Sequence, residues 1–160
     1  MKKLFQLSIA LLSIFLFSAC SSDDSVAKRV EGTHIVRCYA DVLTPSVSSQ
    51  SFKRDVKLEV KAEADNFIKI VIPTVGRPHN GIEMVVPEFT ISGVPVVEGL
   101  ENGVEILKHS FRIEGEKNIE GTIVGTFYEN GEVEVVVEYM YGNMPFPIKQ
   151  TLENRDTGRV

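Results

Sequence analysis

Hydrophobic and polar residues alternate with a period of two along most of the chain beyond residue 33. The clearest case runs from Arg54 to Ala64, where Val56, Leu58, Val60, Ala62 and Ala64 alternate with Asp55, Lys57, Glu59, Lys61 and Glu63. Successive strand side chains point to opposite faces, so the pattern predicts a strand with one buried and one wet face. A helix would scatter the same charges around its circumference. Asp65-Asn66 predicts a tight turn through residues that tolerate positive φ. Phe67 to Ile72 then returns as the partner strand, and Pro73 ends it. Upstream, Thr33 to Leu43 is a strand with Val36, Cys38, Ala40 and Val42 on one face, followed by a Pro- and Ser-rich loop over residues 44–51.

The second half continues in the same way. Thr74 to Asn80 reads as a loop, and Glu83 to Val94 as a strand interrupted by Pro87. Proline lacks an N–H and belongs at a sheet edge or bulge. Pro95-Val96-Val97 is a further short extended piece, Asn102-Gly103 a turn, and Val104 to Ile113 the next strand. Ile119 to Tyr128 and Val133 to Tyr141 flank Asn130-Gly131, a pair that predicts a type I′ hairpin turn with positive φ at both residues. Val133, Val135, Val137, Tyr139 and Tyr141 share a face opposite Glu132, Glu134 and Glu138. On the incoming strand Ile119, Gly121, Ile123, Gly125 and Phe127 share a face; two glycines there imply a sharp bend, as in a curved sheet, or a close approach, and facing inward they leave volume that a bend or a ligand must take up. Gly142 to Pro145 turns the chain, and Phe146 to Leu152 closes it. Gln150 and Glu153 make this last strand unexpectedly polar, which weighs against full closure.

Eight or nine short strands with no convincing helix predict an all-β domain. A small antiparallel up-and-down barrel fits best, with a β-sandwich as the alternative. A membrane-spanning barrel does not fit, because the outward faces of the best strands carry Lys and Glu rather than lipid-facing apolar residues.

The N-terminus follows different rules. Met1-Lys2-Lys3 precedes an apolar run from Leu4 to Phe17 and then small residues, which is the order of a secretory signal peptide. Phe17-Ser18-Ala19-Cys20 resembles the lipobox of bacterial lipoproteins. That resemblance implies cleavage before Cys20, diacylation on its sulfur and a further acyl chain (palmitate-type) on the new N-terminus. Several acyl chains anchor stably where one does not. Ser21 in place of Asp lacks the inner-membrane retention signal of many lipoproteins. Asp23-Asp24 resembles the acidic stretch that exports Bacteroidetes lipoproteins to the cell surface. The expected organisation is a signal peptide over 1–19, a lipidated Cys and tether over 20–32, a barrel over 33–154 and a polar tail over 155–160. The expected location is the outer membrane, on either its periplasmic or its outer side.

The 141 residues from Cys20 onward suffice for one domain with a core. Without Lys2 and Lys3 the chain has 15 basic against 22 acidic residues, a net charge of −7. That argues against nucleic-acid binding. With Cys20 acylated, no second cysteine remains for a disulfide with Cys38, and its apolar register marks it as a small buried hydrophobe.

Met84 to Val96, together with Gly142 to Lys149 and the hairpin from Val56 to Ile72, resembles the calycin-like (lipocalin-like) lipoproteins of Bacteroidetes. The likeness covers roughly residues 34–153 and rests on structural motifs. It implies a small antiparallel barrel behind a lipid anchor, and it brings no catalytic residues.

Catalytic chemistry is not visible. His34, His79 and His109 follow no metal spacing, and no G-x-S-x-G, H-E-x-x-H or phosphate-cradling loop occurs. Glu132, Glu134 and Glu138 read as a solvated face. We therefore expect no enzyme, no metal and no cofactor. Phe67, Phe89, Phe111, Gly121, Gly125, Phe127, Tyr139 and Met144 are the candidate lining of a cavity for one small apolar molecule. The other expectation is an adhesin-like or accessory role with an outer-membrane protein partner, through the acidic sheet face or the strand holding Pro87.

Overall fold

The alternation closes on itself. In the computed structural model, which describes residues 25–43, 51–79 and 82–155, eight antiparallel strands form a closed up-and-down barrel. The ten strands are β1 (Gly32–Val42), β2 (Ser51–Ala64), β3 (Phe67–Ile72), β4 (Val75–His79), β5 (Ile82–Val86), β6 (Phe89–Glu98), β7 (Val104–Ile113), β8 (Ile119–Phe127), β9 (Val133–Tyr141) and β10 (Ile148–Glu153). Around the barrel the order is β1, β10, β9, β8, β7, β6, β3, β2, and β2 pairs back onto β1. Strands β4 and β5 form a separate two-stranded sheet. Cys20, Asp23-Asp24, the 44–50 loop, Asn80-Gly81 and residues 156–160 lie outside the described residues.

The expected faces hold through most of the barrel. Val36, Cys38 and Ala40 of β1, Leu58 and Val60 of β2, and Val133, Val135, Val137 and Tyr139 of β9 are all buried. Lys57, Glu59 and Lys61 point to water between their buried neighbours. Each aliphatic side chain taken from water contributes about 1.5–3 kcal/mol, so inward alternation over eight strands is the main stabilising force.

Closure depends on the last strand, and here the expectation drawn from Gln150 and Glu153 fails. β10 pairs with β1 from Arg37↔Glu153 to Val42↔Ile148, and with β9 from Ile148↔Tyr139 to Glu153↔Glu134. Gln150 and Glu153 are 0% and 1% exposed. Their polarity is accommodated inside the protein and does not open a seam.

Several local expectations also change. Residues 75–79, read as loop, are strand β4, paired with β5 from Val75↔Val86 to His79↔Ile82. Pro87 sits in the break between β5 and β6, outside either strand. Pro95-Val96-Val97 is not a separate piece, because β6 continues through it after a bulge opposite Ile68–Ile70. Asp65 and Asn66 turn the chain without positive φ, whereas Glu101 and Asn102 do have it, at 54° and 59°. In the β8–β9 turn only Gly131 has positive φ, at 84°. Gly131 N–H donates to Tyr128 O at 3.0 Å and Tyr128 N–H to Glu132 O at 2.8 Å. This is a type I turn closed by a glycine bulge rather than a type I′ turn.

The strand directions define two barrel ends. At one end lie the β2–β3, β6–β7 and β8–β9 turns, and a helix that the alternation did not predict, α1 (Val26–Val30), packs there. Ser25 caps it by accepting from Lys28 N–H. Ala27 and Val30 are buried, and Ala27 N–H donates to Asp65 O at 3.0 Å. The opposite end carries the β4–β5 hairpin and the turns over 114–118 and 142–147. Among the described residues, no helix is long and apolar enough to cross a membrane.

Candidate functional site

A row of three residues crosses β7, β8 and β9 near the end opposite α1. Phe111 pairs with Gly121, and Gly121 pairs with Tyr139. Directly opposed residues share a face, so all three look inward. Phe89, arriving on β6, completes an aromatic cluster: its ring lies 5.1 Å from Tyr139 edge-on and 6.1 Å from Phe111 in a stacked arrangement. Edge-to-face and offset rings at these separations attract beyond their area burial. Phe89 and Tyr139 are buried, whereas Phe111 is only partly so. Around them Ile113, Tyr141 and Met144 are also partly buried and pack on the same core.

The cluster has a polar floor. Tyr139 Oη donates to Gln150 Oε1 at 3.0 Å, and Gln150 Nε2 donates to Pro73 O at 3.0 Å and to Cys38 Sγ at 3.3 Å. Both amide hydrogens and the amide oxygen of Gln150 are therefore used, which is what a buried carboxamide requires. Burial pushes the Tyr139 phenol well above the ordinary tyrosine pKa, and the nearby Cys38 and Tyr141 add to the shift. Cys38 is buried and serves as an apolar neighbour and weak acceptor, as its register predicts.

The candidate lining therefore divides. Phe89, Phe111 and Tyr139 come together, with Met144 packed on the same core near that end. Phe127 lies at the α1 end, 5.2 Å from the His34 ring. Phe67 does not line the interior: it is 44% exposed on the outer wall, while Ile68, Ile70 and Ile72 take the inner positions. Gly121 and Gly125 leave no open volume. A Cβ at Gly121 would collide with Glu138 O and lie 2.7 Å from Tyr139 Cα and Cβ. One at Gly125 would lie 2.7 Å from Glu134 O and 2.9 Å from Val135 Cγ2. Strand β9 and its side chains lie directly against both glycines, so close approach explains them.

The α1 end holds a cleft of about 370 Å³ lined by Val30, His34, Val104, Phe127, Tyr128 and Val133, among others. Several of its polar groups are held within the protein. His34 Nε2 donates to Val30 O at 3.0 Å, and Arg29 reaches Glu98 at 3.2 Å and Asn102 O. Arg155, expected in a polar tail, instead clasps the β8–β9 turn. It donates to Tyr128 Oη at 2.8 Å, lies 4.5 Å from the centroid of that ring and pairs with Glu132 at 3.2 Å and Glu134 at 3.8 Å. Two of the three glutamates read as a solvated face thus hold the C-terminal segment. His109 faces inward opposite Ile123 and is half-buried. Among the described residues, no group of three or more His, Cys, Asp or Glu is placed to hold a metal ion.

Neither a family model nor a curated protein matches the sequence. In fold the chain is similar to the crystal structure of a putative outer membrane protein of Bacteroides fragilis, with a TM-score of 0.66 and 20% identity. The likeness covers 83% of this chain and 53% of that one, so this chain spans about half of its neighbour's length. At that identity the two share a fold, a closed eight-stranded barrel.

Proposed function

We propose that this protein is a lipid-anchored outer-membrane lipoprotein whose calycin-like barrel binds one small apolar molecule, without catalysis, at the mouth opposite α1. The observation that carries the reading is the Phe89–Phe111–Tyr139 cluster with half-buried Phe111, Ile113, Tyr141 and Met144 around it. Aromatic and methionine side chains left half-covered at a barrel mouth offer an adaptable apolar surface, while α1 packs against the other end. The anchor is Cys20 of the lipobox-like Phe17-Ser18-Ala19-Cys20. The barrel shared with a putative outer membrane protein of Bacteroides fragilis supports the setting.

Native mass spectrometry of the chain from Ser21 onward, purified without detergent, tests the reading. A co-purifying apolar mass in one-to-one ratio supports it, and a ligand-free barrel that takes up no added fatty acid counts against it. A second reading, an adhesin-like or accessory role with an outer-membrane protein partner, draws support from the β4–β5 hairpin. It forms a sheet of its own at the same end as the mouth, and Val85 is 37% exposed there.

A further inference from the structure

The most exposed large apolar side chain among the described residues is Leu100, at 87%, in the β6–β7 turn. Single exposed hydrophobes are ordinary, so its location matters more than its exposure. Leu100 lies at the α1 end, beyond Val97, which is 36% exposed on the outer wall of β6. Two residues back on the same face is Pro95, directly opposite the 44% exposed Phe67. Phe67, Pro95 and Val97 thus form an apolar strip on the outer wall that leads toward the turn carrying Leu100 at the rim.

The turn carrying Leu100 is built to hold its shape. Glu101 and Asn102 both have positive φ, and Gly103 N–H donates to Leu100 O at 3.0 Å. Arg29 of α1 grips the turn from the other side, through Glu98 at 3.2 Å and the Asn102 carbonyl oxygen. The same helix receives the N-terminal segment, since α1 begins directly after Ser25. Only residues 21–24 separate Ser25 from Cys20. Even fully extended, that connection spans roughly 17 Å.

We propose that the α1 end of the barrel rests on the lipid surface, with Leu100 inserted among the lipids and Phe67 and Val97 at the interface. This rests on the lipid-anchor reading above, because the tether brings the strip to the bilayer. A single leucine is too little to hold a protein on a membrane. The anchor makes its insertion intramolecular, and a short tether gives it a high effective concentration. The strip includes no basic residue, and Glu98, Glu101 and Glu105 lie beside it, so insertion draws nothing from attraction to anionic headgroups and high salt does not weaken it. The ligand-binding mouth then faces away from the membrane.

The chain contains no tryptophan, so one introduced indole reports without background. The full lipidated chain carrying Leu100→Trp is reconstituted into phosphatidylcholine vesicles with brominated acyl chains. The comparison is Glu114→Trp, whose side chain is 79% exposed in the turn at the opposite end. Both substitutions fall on exposed turns and leave the core intact. The expected result is an emission blue shift and quenching several-fold greater at position 100 than at position 114, unchanged in high salt. Equal quenching at the two positions, in protein that floats with the vesicles, overturns the orientation and leaves the anchor standing. Protein that fails to float, with an intact mass showing Cys20 unacylated, overturns both.

Discussion

The phenol of Tyr139 donates to the carboxamide oxygen of Gln150 at 3.0 Å inside the barrel, and its side-chain base covers Gly121 on the neighbouring strand. One tyrosine therefore joins β8, β9 and β10 where the barrel closes. Leaving a buried donor or acceptor unmade costs about 1–3 kcal/mol. Gln150→Leu strips partners from Tyr139 Oη and Pro73 O together, and we expect a loss of about 2–3 kcal/mol in urea denaturation. Tyr139→Phe should lose about 1 kcal/mol. The double variant should lose less than the sum by at least about 0.5 kcal/mol. Strict additivity would show that the two side chains do not act as a pair.

Alkaline pH should expose the same residue. The folded-state pKa of Tyr139 is raised above its ordinary value of 10.0, so folding favours the neutral phenol. Its stabilising contribution is complete below the unfolded pKa and falls as pH climbs beyond it, because only the unfolded chain ionises there. Absorbance at 295 nm should show the Tyr139 phenolate appearing together with unfolding, and Tyr139→Phe should flatten the alkaline loss of stability. A Tyr139 signal that titrates near pH 10 in still-folded protein would contradict the burial.

Gly121→Ala should be among the most damaging single changes. Its methyl meets the backbone of Glu138 and Tyr139, which cannot move without breaking the β8–β9 ladder. We expect a cost of about 3 kcal/mol, the upper end for overpacking. Gly115→Ala, where the nearest atom lies at an ordinary 3.8 Å, should stay within about 0.5 kcal/mol of wild type. Comparable thermal midpoints for the two variants would mean that β9 has room to yield.

Arg155 provides a test at the other end. Arg155→Ala removes the contact with Tyr128 and the pairs with Glu132 and Glu134, whose side chains are 37% and 38% exposed. Solvent screening limits the ion pairs, so the loss should be about 1 kcal/mol, carried mainly by the guanidinium over the Tyr128 ring. Arg155→Lys should recover little of it, since an ammonium cannot reach Tyr128 Oη, Glu132 and Glu134 at once as the guanidinium fork does. Hydrogen exchange in the β8–β9 turn should rise in both variants, and unchanged exchange would dismiss the clasp.

The barrel was legible because period-two alternation is a local signal: Leu58 and Val60, or Val135 and Val137, reveal their face without knowing their neighbours. Phe67 was equally legible, since it shares a face with Lys69 and its inner neighbours are Ile68 and Ile70, yet aromatic character suggested the interior. Gln150 was not legible. A carboxamide in an inward position is tolerable only with partners, and these lie 11, 77 and 112 residues away. Strand β4 is not legible in the sequence, because Val75-Gly76-Arg77-Pro78-His79 has two strand breakers and no alternation. For Gly121 and Gly125 the sequence allows a bend, a close approach or space for a ligand; only the structure selects close approach, because sequence spacing does not show how near β9 lies.

The central claim is that the barrel mouth bordered by Phe111, Ile113, Tyr141 and Met144 takes an apolar ligand while the α1 end does not. Methyl-resolved NMR of the chain from Ser21 onward, titrated with dodecanoate, measures this at both ends in one experiment. The account predicts saturable one-to-one shifts at the methyls of Met144, Ile113 and Ile119, with those of Val30 and Val133 unmoved. Saturable shifts centred on Val30 and Val133, or no saturable shift anywhere, would contradict it.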